Sequence, residues 1–243
     1  MGQRLDLLRT RVHKTAVAVS VPAYRAALRR GTLAAIEHTP LLRGLPVDTV
    51  LDVGANRGQF SVLAAHLFPA ATIIAFEPLA GPASDYRRVL GSRAMLHELA
   101  VGASSGTTVV FETKADDSSS LRRPTEAQLE LSSGSEIVAE HVVRVARLDE
   151  LVRRAAGGST LLKIDVQGGE YEVLLGAEEL LAARVRHVYV EASFVELYRG
   201  QRLVGDVVRL LSQHGFDLRA IANPTRGAAG IAQADLLFGR AER

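Results

Sequence analysis

Four acidic residues each lie at or near the end of a different short apolar stretch of the chain. Asp52 lies in "VLDVGANRGQF", Glu77 in "IIAFEP", Asp165 in "LLKIDVQGGEYEVLLGA", and Glu191 in "RHVYVEA". Short apolar runs bounded by glycine or proline are typical of buried strands in a parallel sheet. The carboxyl ends of such strands meet at one edge, where ligands of α/β proteins bind. The chemistry open to these carboxylates is therefore ligand binding and proton transfer.

The first stretch has the glycine spacing of a ligand-binding turn. Asp52, Gly54, Asn56 and Gly58 close a strand and open a helix. The dinucleotide fingerprint G-x-G-x-x-G lacks its middle glycine here, and an aspartate would repel a pyrophosphate. A ligand with an ammonium group and no phosphate suits the turn, and S-adenosylmethionine (SAM) has both properties. Glu77 follows about 20 residues after the first glycine, where a carboxylate accepts ribose hydroxyls. The alternative is a turn that needs glycines for packing alone.

From residue 48 onward, short apolar runs alternate with amphipathic segments, which is typical of βαβ units. Strands are predicted at 48–53, 71–76, 95–102, 107–112, 141–146, 160–165 and 186–192, and helices at 60–67, 83–92, 170–183 and around 204–211. The end of the chain, 216–239, is spaced as an antiparallel hairpin with a long loop. The pattern predicts an α/β protein with a doubly wound, Rossmann-like class I methyltransferase fold: N-terminal helices, a mostly parallel sheet and a C-terminal hairpin.

We predict a single domain over residues 1–243, with an N-terminal helical segment at 1–47 and a Rossmann-like core at 48–243. An apolar helical stripe at 5–19 indicates a helix packed on the core. Two alternatives for this segment are a signal peptide and a basic amphipathic helix in peripheral contact with a membrane. No apolar run approaches the roughly 20 residues that a membrane span needs.

Composition narrows the class of protein. The 243 residues include no cysteine, which excludes disulfides and thiolate metal sites and favours a cytoplasmic location. The formal net charge is +2 and the isoelectric point is about 9.1. A basic balance alone suggests nucleic acid as a partner, but aromatic residues make up only 5% and no basic stripe with interleaved aromatics is present. We therefore expect no nucleic-acid partner.

Several motifs in one order resemble the FkbM-type SAM-dependent methyltransferases. They are "VLDVGANRGQF", "AFEP", "RLDEL", "LLKIDVQGGEYEVLLGA", "VEASFVELYRGQ" and "AQADLLF", between about Thr49 and Phe238. The resemblance implies SAM as cofactor and methylation of hydroxyl groups on sugars or natural products. It assigns the methionine half of SAM to Asp52, Gly54, Asn56 and Gly58, the ribose to Glu77, and the adenine to Ala100 and Val101. The chain departs from the family at Gln167, where members often have glutamate.

The acceptor side is predicted around Asp165. A neutral hydroxyl is a weak nucleophile, so methyl transfer to it needs a base, and Asp165 at the end of its strand is our candidate. Glu191, which ends the next strand, is expected to assist it. Glu170 either contacts the acceptor or only favours the helix start. Lys163 is expected to form an ion pair rather than to take part in catalysis.

A polar insertion at 116–135 is expected to fold over the acceptor, to be mobile without it, and to contact it through Ser119 and Ser120. A divalent ion held by Asp165 and Glu191 is an alternative, but we predict no metal site, and the seven histidines show no ligand spacing.

The sequence thus predicts an O-methyltransferase that acts on a hydroxyl of a sugar, glycolipid or natural product. Two alternatives remain open: a nucleic-acid methyltransferase and a SAM-binding module without catalysis. The oligomeric state is left open.

Overall fold

We describe a computed structural model of the protein, covering residues 20–152, 158–228 and 230–241. The stripe predicted at 5–19 lies outside these residues. The strands are β1 (Thr49–Val53), β2 (Thr72–Phe76), β3 (Met95–His97), β4 (Ala100–Val101), β5 (Gly106–Thr113), β6 (Ile137–Ala146), β7 (Thr160–Ile164), β8 (Val185–Ser193), β9 (Phe216–Gly227) and β10 (Gly230–Arg240). The helices are α1 (Pro22–Arg29), α2 (Thr39–Leu42), α3 (Gln59–Leu67), α4 (Ala80–Leu90), α5 (Glu126–Leu131), α6 (Leu148–Leu151), α7 (Glu170–Leu175), α8 (Glu178–Ala183) and α9 (Val204–Gln213).

Within the described ranges, seven strands form the main sheet in the order β3-β2-β1-β7-β8-β10-β9. The first five are parallel, whereas β10 runs antiparallel to both β8 and β9. The strand order therefore reverses between β1 and β7, and in open α/β sheets ligands bind in the crevice at such a reversal. The predicted doubly wound fold with a closing antiparallel hairpin is confirmed.

The two central strands are buried along their whole length, because helices cover both faces of the sheet. Successive side chains alternate between two cores. Leu162 packs into the core that contains α7, α8 and α9, whereas Leu161 packs into the core on the side of α1, α3 and α4. Asp52 and Lys163 occupy the positions of β1 and β7 that face this second side.

The predicted third strand at 95–102 is wrong as a single element. Met95–His97 joins the main sheet as β3, but Ala100–Val101 pairs with β6 in a separate three-stranded sheet of order β4-β6-β5. Between the two, the His97 carbonyl accepts hydrogen bonds from the Glu77 and Leu99 amides, which turns the chain out of the main sheet. Hydrophobic alternation continues through this turn, so the pattern gave no sign of it.

The helix predicted at 170–183 divides into α7 and α8 around Gly176. A Cβ built on Gly176 would lie 2.1 Å from the Gly102 carbonyl oxygen, so the chain passes too close to the second sheet for any side chain. The polar insertion at 116–135 contains a 3-10 turn at Asp116–Ser118 and also α5, capped by Thr125. None of the described helices is long and apolar enough to cross a membrane.

A pair of glycines tests the close approach at the end of α7. Gly176→Ala should lower the free energy of unfolding by about 1–3 kcal/mol, because the new methyl group overlaps a backbone carbonyl that has to move. Gly205 in α9 is exposed and has no atom within 4 Å of a built Cβ, so Gly205→Ala should be neutral or stabilise by up to ~1 kcal/mol. Urea denaturation of both variants measures this, and equal effects would contradict the packing.

Candidate active site

A cavity of about 430 Å³ lies at the carboxyl ends of β1, β2 and β7. Its size is within the range of small-molecule sites. The sequence-predicted site residues that line it are Gly54, Asn56, Glu77, Ala100, Val101, Ser119, Ser120 and Asp165. Those that do not line it are Asp52, Gly58, Glu170 and Glu191. The structure thus brings eight of the predicted residues together around one space and places four behind its walls.

Glu77 and Asn56 form the wall of the cavity at the end of β2. The buried Glu77 carboxylate accepts hydrogen bonds from the backbone N–H of Asn56 at 2.9 Å and from the backbone N–H of Leu79 at 2.8 Å. Asn56 has a left-handed backbone with φ 45°, which an asparagine tolerates better than most residues. Its buried side-chain oxygen Oδ1 has no hydrogen-bond partner among the described residues. This acceptor suits the ammonium group of SAM, and a carboxylate at the position of Glu77 suits ribose hydroxyls.

An apolar section of the wall adjoins Glu77. Leu99, Ala100 and Val101 are buried and line the cavity together with Phe76 and Val110. Such a slot beside a ribose-binding carboxylate suits a flat adenine ring, which gains from leaving water. The acceptor oxygens of Glu77 and Asn56 and the apolar slot therefore both fit SAM.

The two glycines of the turn have different surroundings. Gly54 has φ 76°, and a Cβ there would lie 1.8 Å from the Asp165 carbonyl oxygen. The turn after β1 thus packs directly on the turn after β7. Gly58 has φ 89°, and its Cβ would lie 2.8 Å from Leu90 Cδ2 of α4, away from the cavity. The packing interpretation therefore accounts for Gly58.

The buried Asp52 carboxylate lies below the cavity and pairs with Lys163. Lys163 Nζ lies 3.0 Å from Asp52 Oδ1 and donates a hydrogen bond to the Gly54 carbonyl at 2.7 Å. Ser61 donates to the other oxygen of Asp52 at 2.6 Å. Burial alone would lower the pKa of Lys163, but the charges of Asp52 and Asp165 raise it above its ordinary value. The ion pair predicted for Lys163 is confirmed, and it ties the glycine turn to β7.

Gln167 joins two of the predicted carboxylates. Its Nε2 donates to Asp165 Oδ1 at 2.8 Å and to Glu191 Oε2 at 2.9 Å, while Tyr198 Oη donates to its Oε1 at 2.9 Å. Carboxylates only accept, so this network fixes the orientation of the amide. In the sequence, Gln167 is only a departure from the family pattern and has no predicted role. Its left-handed φ of 58° inside a glycine turn was the available signal.

Glu191 lies behind Asp165 and is held by two amides. Gln233 Nε2 donates to Glu191 Oε1 at 2.7 Å, opposite the contact from Gln167. Burial, and then the nearby charge of Asp165, raise the pKa of Glu191 well above its ordinary value. Asp165 itself is more open, with 42% of its side chain exposed. Of the two, Asp165 is therefore the carboxylate that a ligand reaches.

Glu170 closes the glycine turn from behind. Its carboxyl group is 5% exposed and accepts from the Gly168 amide at 2.9 Å and the Val166 amide at 3.3 Å. Burial raises its pKa to about 7, although the two amides act in the opposite direction. The geometry favours the helix-start interpretation of Glu170, because the side chain binds backbone groups of its own turn.

The insertion forms the outer wall of the cavity. Ser120 Oγ donates to the Gln167 carbonyl at 2.5 Å, and the Thr113 amide donates to Ser119 Oγ at 3.1 Å. Arg122 pairs with Glu172 at 2.8 Å. These contacts hold the insertion across the turn after β7. In the described part of the chain, no group of three or more histidine or acidic residues has the geometry of a metal site.

Comparison with known proteins agrees with this architecture. The family model described as "Methyltransferase FkbM domain" matches residues 52–218. The chain is 31% identical over 218 residues to the 31-O-demethyl-FK506 methyltransferase FkbM of Streptomyces tacrolimicus, covering 77% of this chain and 80% of that protein. It is 30% identical over 195 residues to the 2-O-methyltransferase NoeI of Sinorhizobium fredii, covering 76% and 78%. Among solved structures, a putative SAM-dependent methyltransferase from Listeria monocytogenes shares 11% identity with a TM-score of 0.48, covering 86% and 99%.

The doubly wound sheet, a cavity that fits SAM at its strand reversal, the family match and the two curated relatives together define a SAM-dependent methyltransferase. Since the family model covers more than half of the chain, the chain belongs to the FkbM methyltransferase family. The resemblance in the sequence is thereby confirmed.

The Lys163 ion pair is testable by stability. Lys163→Met should lower the free energy of unfolding by about 3–5 kcal/mol, because it leaves the Asp52 charge buried and uncompensated. Adding Asp52→Leu to this variant should restore part of the loss, since no buried charge then remains. Arg209→Met removes an exposed pair with Asp206 and should cost less than ~1 kcal/mol. A cost for Lys163→Met as small as this control would contradict a structural ion pair.

Glu170 should make the free energy of unfolding fall as the pH rises. Its unfolded form loses the proton near the ordinary value of 4.5 and its folded form only near 7, so the folded state binds more protons between these values. The free energy of unfolding should therefore decrease by ~1–3 kcal/mol across this window and level off above it. Glu170→Gln, which has no such proton, should gain stability relative to the natural protein from pH 4.5 to 7. A pH-independent difference between the two urea midpoints would contradict the shift.

Proposed function

We propose that this methyltransferase transfers a methyl group from SAM to a hydroxyl of a small acceptor, a sugar, glycolipid or natural product, with Asp165 as general base. The observation that carries the proposal is the position of Asp165. Its accessible carboxylate lies between the wall formed by Gly54, Asn56 and Glu77 and the network of Gln167 and Glu191. The two relatives named above are described as acting on oxygen positions, which supports a hydroxyl acceptor.

SAM supplies an electrophilic methyl group on a positively charged sulfur. As the acceptor oxygen forms its bond to this carbon, the carbon–sulfur bond would break and the neutral thioether of S-adenosylhomocysteine would leave. Asp165 takes the hydroxyl proton, so no free alkoxide is required. Gln167 holds Asp165 Oδ1, which leaves Oδ2 to face the acceptor. Lys163 Nζ lies 3.9 Å from Oδ2 and keeps a positive charge behind the base. Gln167 acts here as a positioning residue.

The hydrogen bonds of Gln167 leave no room for a metal ion between the carboxylates of Asp165 and Glu191. An ion shared by Asp165 and Glu191 would need the space in which the Gln167 amide nitrogen donates to both. Mg²⁺ and Ca²⁺ require oxygen ligands, and an amide nitrogen, whose lone pair is delocalised and whose two hydrogens point at the carboxylates, is not a ligand for any of these ions. We therefore expect the activity to persist in the presence of a chelator.

The decisive variant is Asp165→Asn, which keeps the shape of the side chain but removes its proton affinity. Turnover with SAM and a hydroxylated acceptor should fall by roughly two to four orders of magnitude. The dissociation constant of S-adenosylhomocysteine (SAH), measured by calorimetry, should stay within about threefold of that of the natural protein. Asp217→Asn changes an exposed carboxylate of β9 and should alter neither quantity.

Near-normal turnover of the Asp165→Asn variant would refute the role of Asp165 as base. Calorimetry that gave no heat with SAH but a clear signal with NAD would refute the cofactor assignment as well. Loss of activity in the chelator, followed by recovery with magnesium, would restore the metal alternative.

A further inference from the structure

His38 is a cavity residue that the mechanism above leaves unused. It ends the 3-10 turn Ile36–His38, lines the cavity, and has 18% of its side chain exposed. Its ring packs against two aromatic rings that also contact each other, with centroids 5.9 Å from Phe60 and 5.4 Å from Tyr189. Histidines showed no pattern in the sequence, so only the folded chain reveals this position.

The hydrogen bonds around His38 fix where its proton lies. His38 Nδ1 is 2.8 Å from Tyr189 Oη and 3.1 Å from Asp235 Oδ2. Tyr189 donates its one proton to the same Asp235 oxygen at 2.9 Å, and burial raises its pKa, so it keeps that proton. The tyrosine oxygen and the carboxylate therefore both face Nδ1 as acceptors, and both are closer to it than the one donor nearby, Asn223 Nδ2 at 3.4 Å. A neutral His38 carries its proton on Nδ1, and Nε2 presents a lone pair.

Asp235 is a fixed anion behind this histidine. Asn223 Nδ2 donates to its Oδ2 at 2.7 Å. Burial alone would raise the pKa of Asp235, but the hydrogen bonds from His38, Asn223 and Tyr189 lower it below its ordinary value. On the other side of the ring, no hydrogen bond between described residues uses Nε2. The Glu37 carboxylate oxygen Oε1 lies 3.9 Å from it, beyond hydrogen-bond distance.

The hydrogen-bond partners of His38 lie on strands away from the cofactor wall. Its partners Tyr189 and Asp235 belong to β8 and β10, and Asp235 lies directly opposite Glu191. The residues that fit SAM follow β1 and β2 or belong to β4, on the far side of β7. Asp165 at the end of β7 lies between the two groups. His38 also contacts Phe60 of α3, which follows the glycine turn. It therefore lies where the cofactor half of the cavity meets the half left for the acceptor.

We propose that His38 is an acceptor-binding residue whose Nε2 accepts a hydrogen bond from a second hydroxyl of the acceptor, distinct from the one that Asp165 deprotonates. This inference rests on the proposed function. Asp235 and Tyr189 are positioning residues that hold the required tautomer. The acceptor is then a polyhydroxylated compound, because Asp165 and His38 each accept a hydrogen bond from a different hydroxyl group.

The test uses the full chain saturated with SAH and methyl α-D-glucopyranoside as the polyhydroxylated probe. Asparagine at position 38 retains a donor toward Asp235 but has no group at the position of Nε2. His38→Asn should weaken glycoside binding, followed by saturation-transfer NMR, by about threefold to tenfold, as expected for one lost hydrogen bond. Its SAH dissociation constant should stay within about twofold. The control His66→Asn, an exposed histidine of α3, should change neither constant.

A second measurement does not depend on any variant. Nitrogen-15 NMR of the histidines at alkaline pH should show His38 protonated at Nδ1 and bare at Nε2, and the glycoside should shift the Nε2 signal. A proton on Nε2, or no response to the glycoside in the SAH complex, would overturn the inference. Weaker SAH binding by His38→Asn would assign His38 to the cofactor and overturn it too. If the natural protein does not bind SAH at all, the proposed function itself is wrong. If it binds SAH but His38 does not respond to the glycoside, only the inference about His38 is wrong.

Discussion

The site depends on one contact between two turns. The backbone of Gly54, after β1, packs on the carbonyl of Asp165, after β7, so closely that only glycine fits. Lys163 reinforces the contact, because its ammonium group binds the Asp52 carboxylate and the Gly54 carbonyl together. The segment that fits the cofactor and the segment that carries the proposed base are thereby one unit. Movement of either turn would displace the other, which keeps the base at a constant distance from the cofactor wall.

The same face of the sheet carries acidic residues on four adjacent strands or the turns that follow them, and each acid is neutralised differently. Asp52 has a buried cation, Glu191 has two amides and a raised pKa, and Asp235 has a histidine, a tyrosine and an asparagine. Only Asp165 combines an accessible side chain with a single amide donor. Like charges this close would otherwise oppose folding. Because the partners differ, one carboxylate remains available for proton transfer while its neighbours serve as support.

Much of the fold and of the candidate site was predictable from the sequence. The parts that were not predictable depend on contacts between distant segments of the chain. Apolar runs ending in Asp52, Glu77, Asp165 and Glu191 predicted the central strands and the edge where their carboxylates meet. The splitting of 95–102 between two sheets was not predictable, because hydrophobic alternation persists through the turn. The break at Gly176 depends on a carbonyl more than 70 residues away. Gln167 and His38 were missed because their partners, Tyr198, Tyr189 and Asp235, come together only through the order of the strands.

The central claim is that the glycine turn and the turn of Asp165 together place the base beside the methyl group of the cofactor. A crystal structure of the protein with SAH tests this directly. The account predicts SAH ribose hydroxyls on Glu77, the amino group near Asn56 Oδ1, adenine against Ala100 and Val101, and the sulfur facing Asp165 across a gap that holds an acceptor hydroxyl. SAH bound with its sulfur turned away from Asp165, or with its ribose on any other carboxylate, would contradict it.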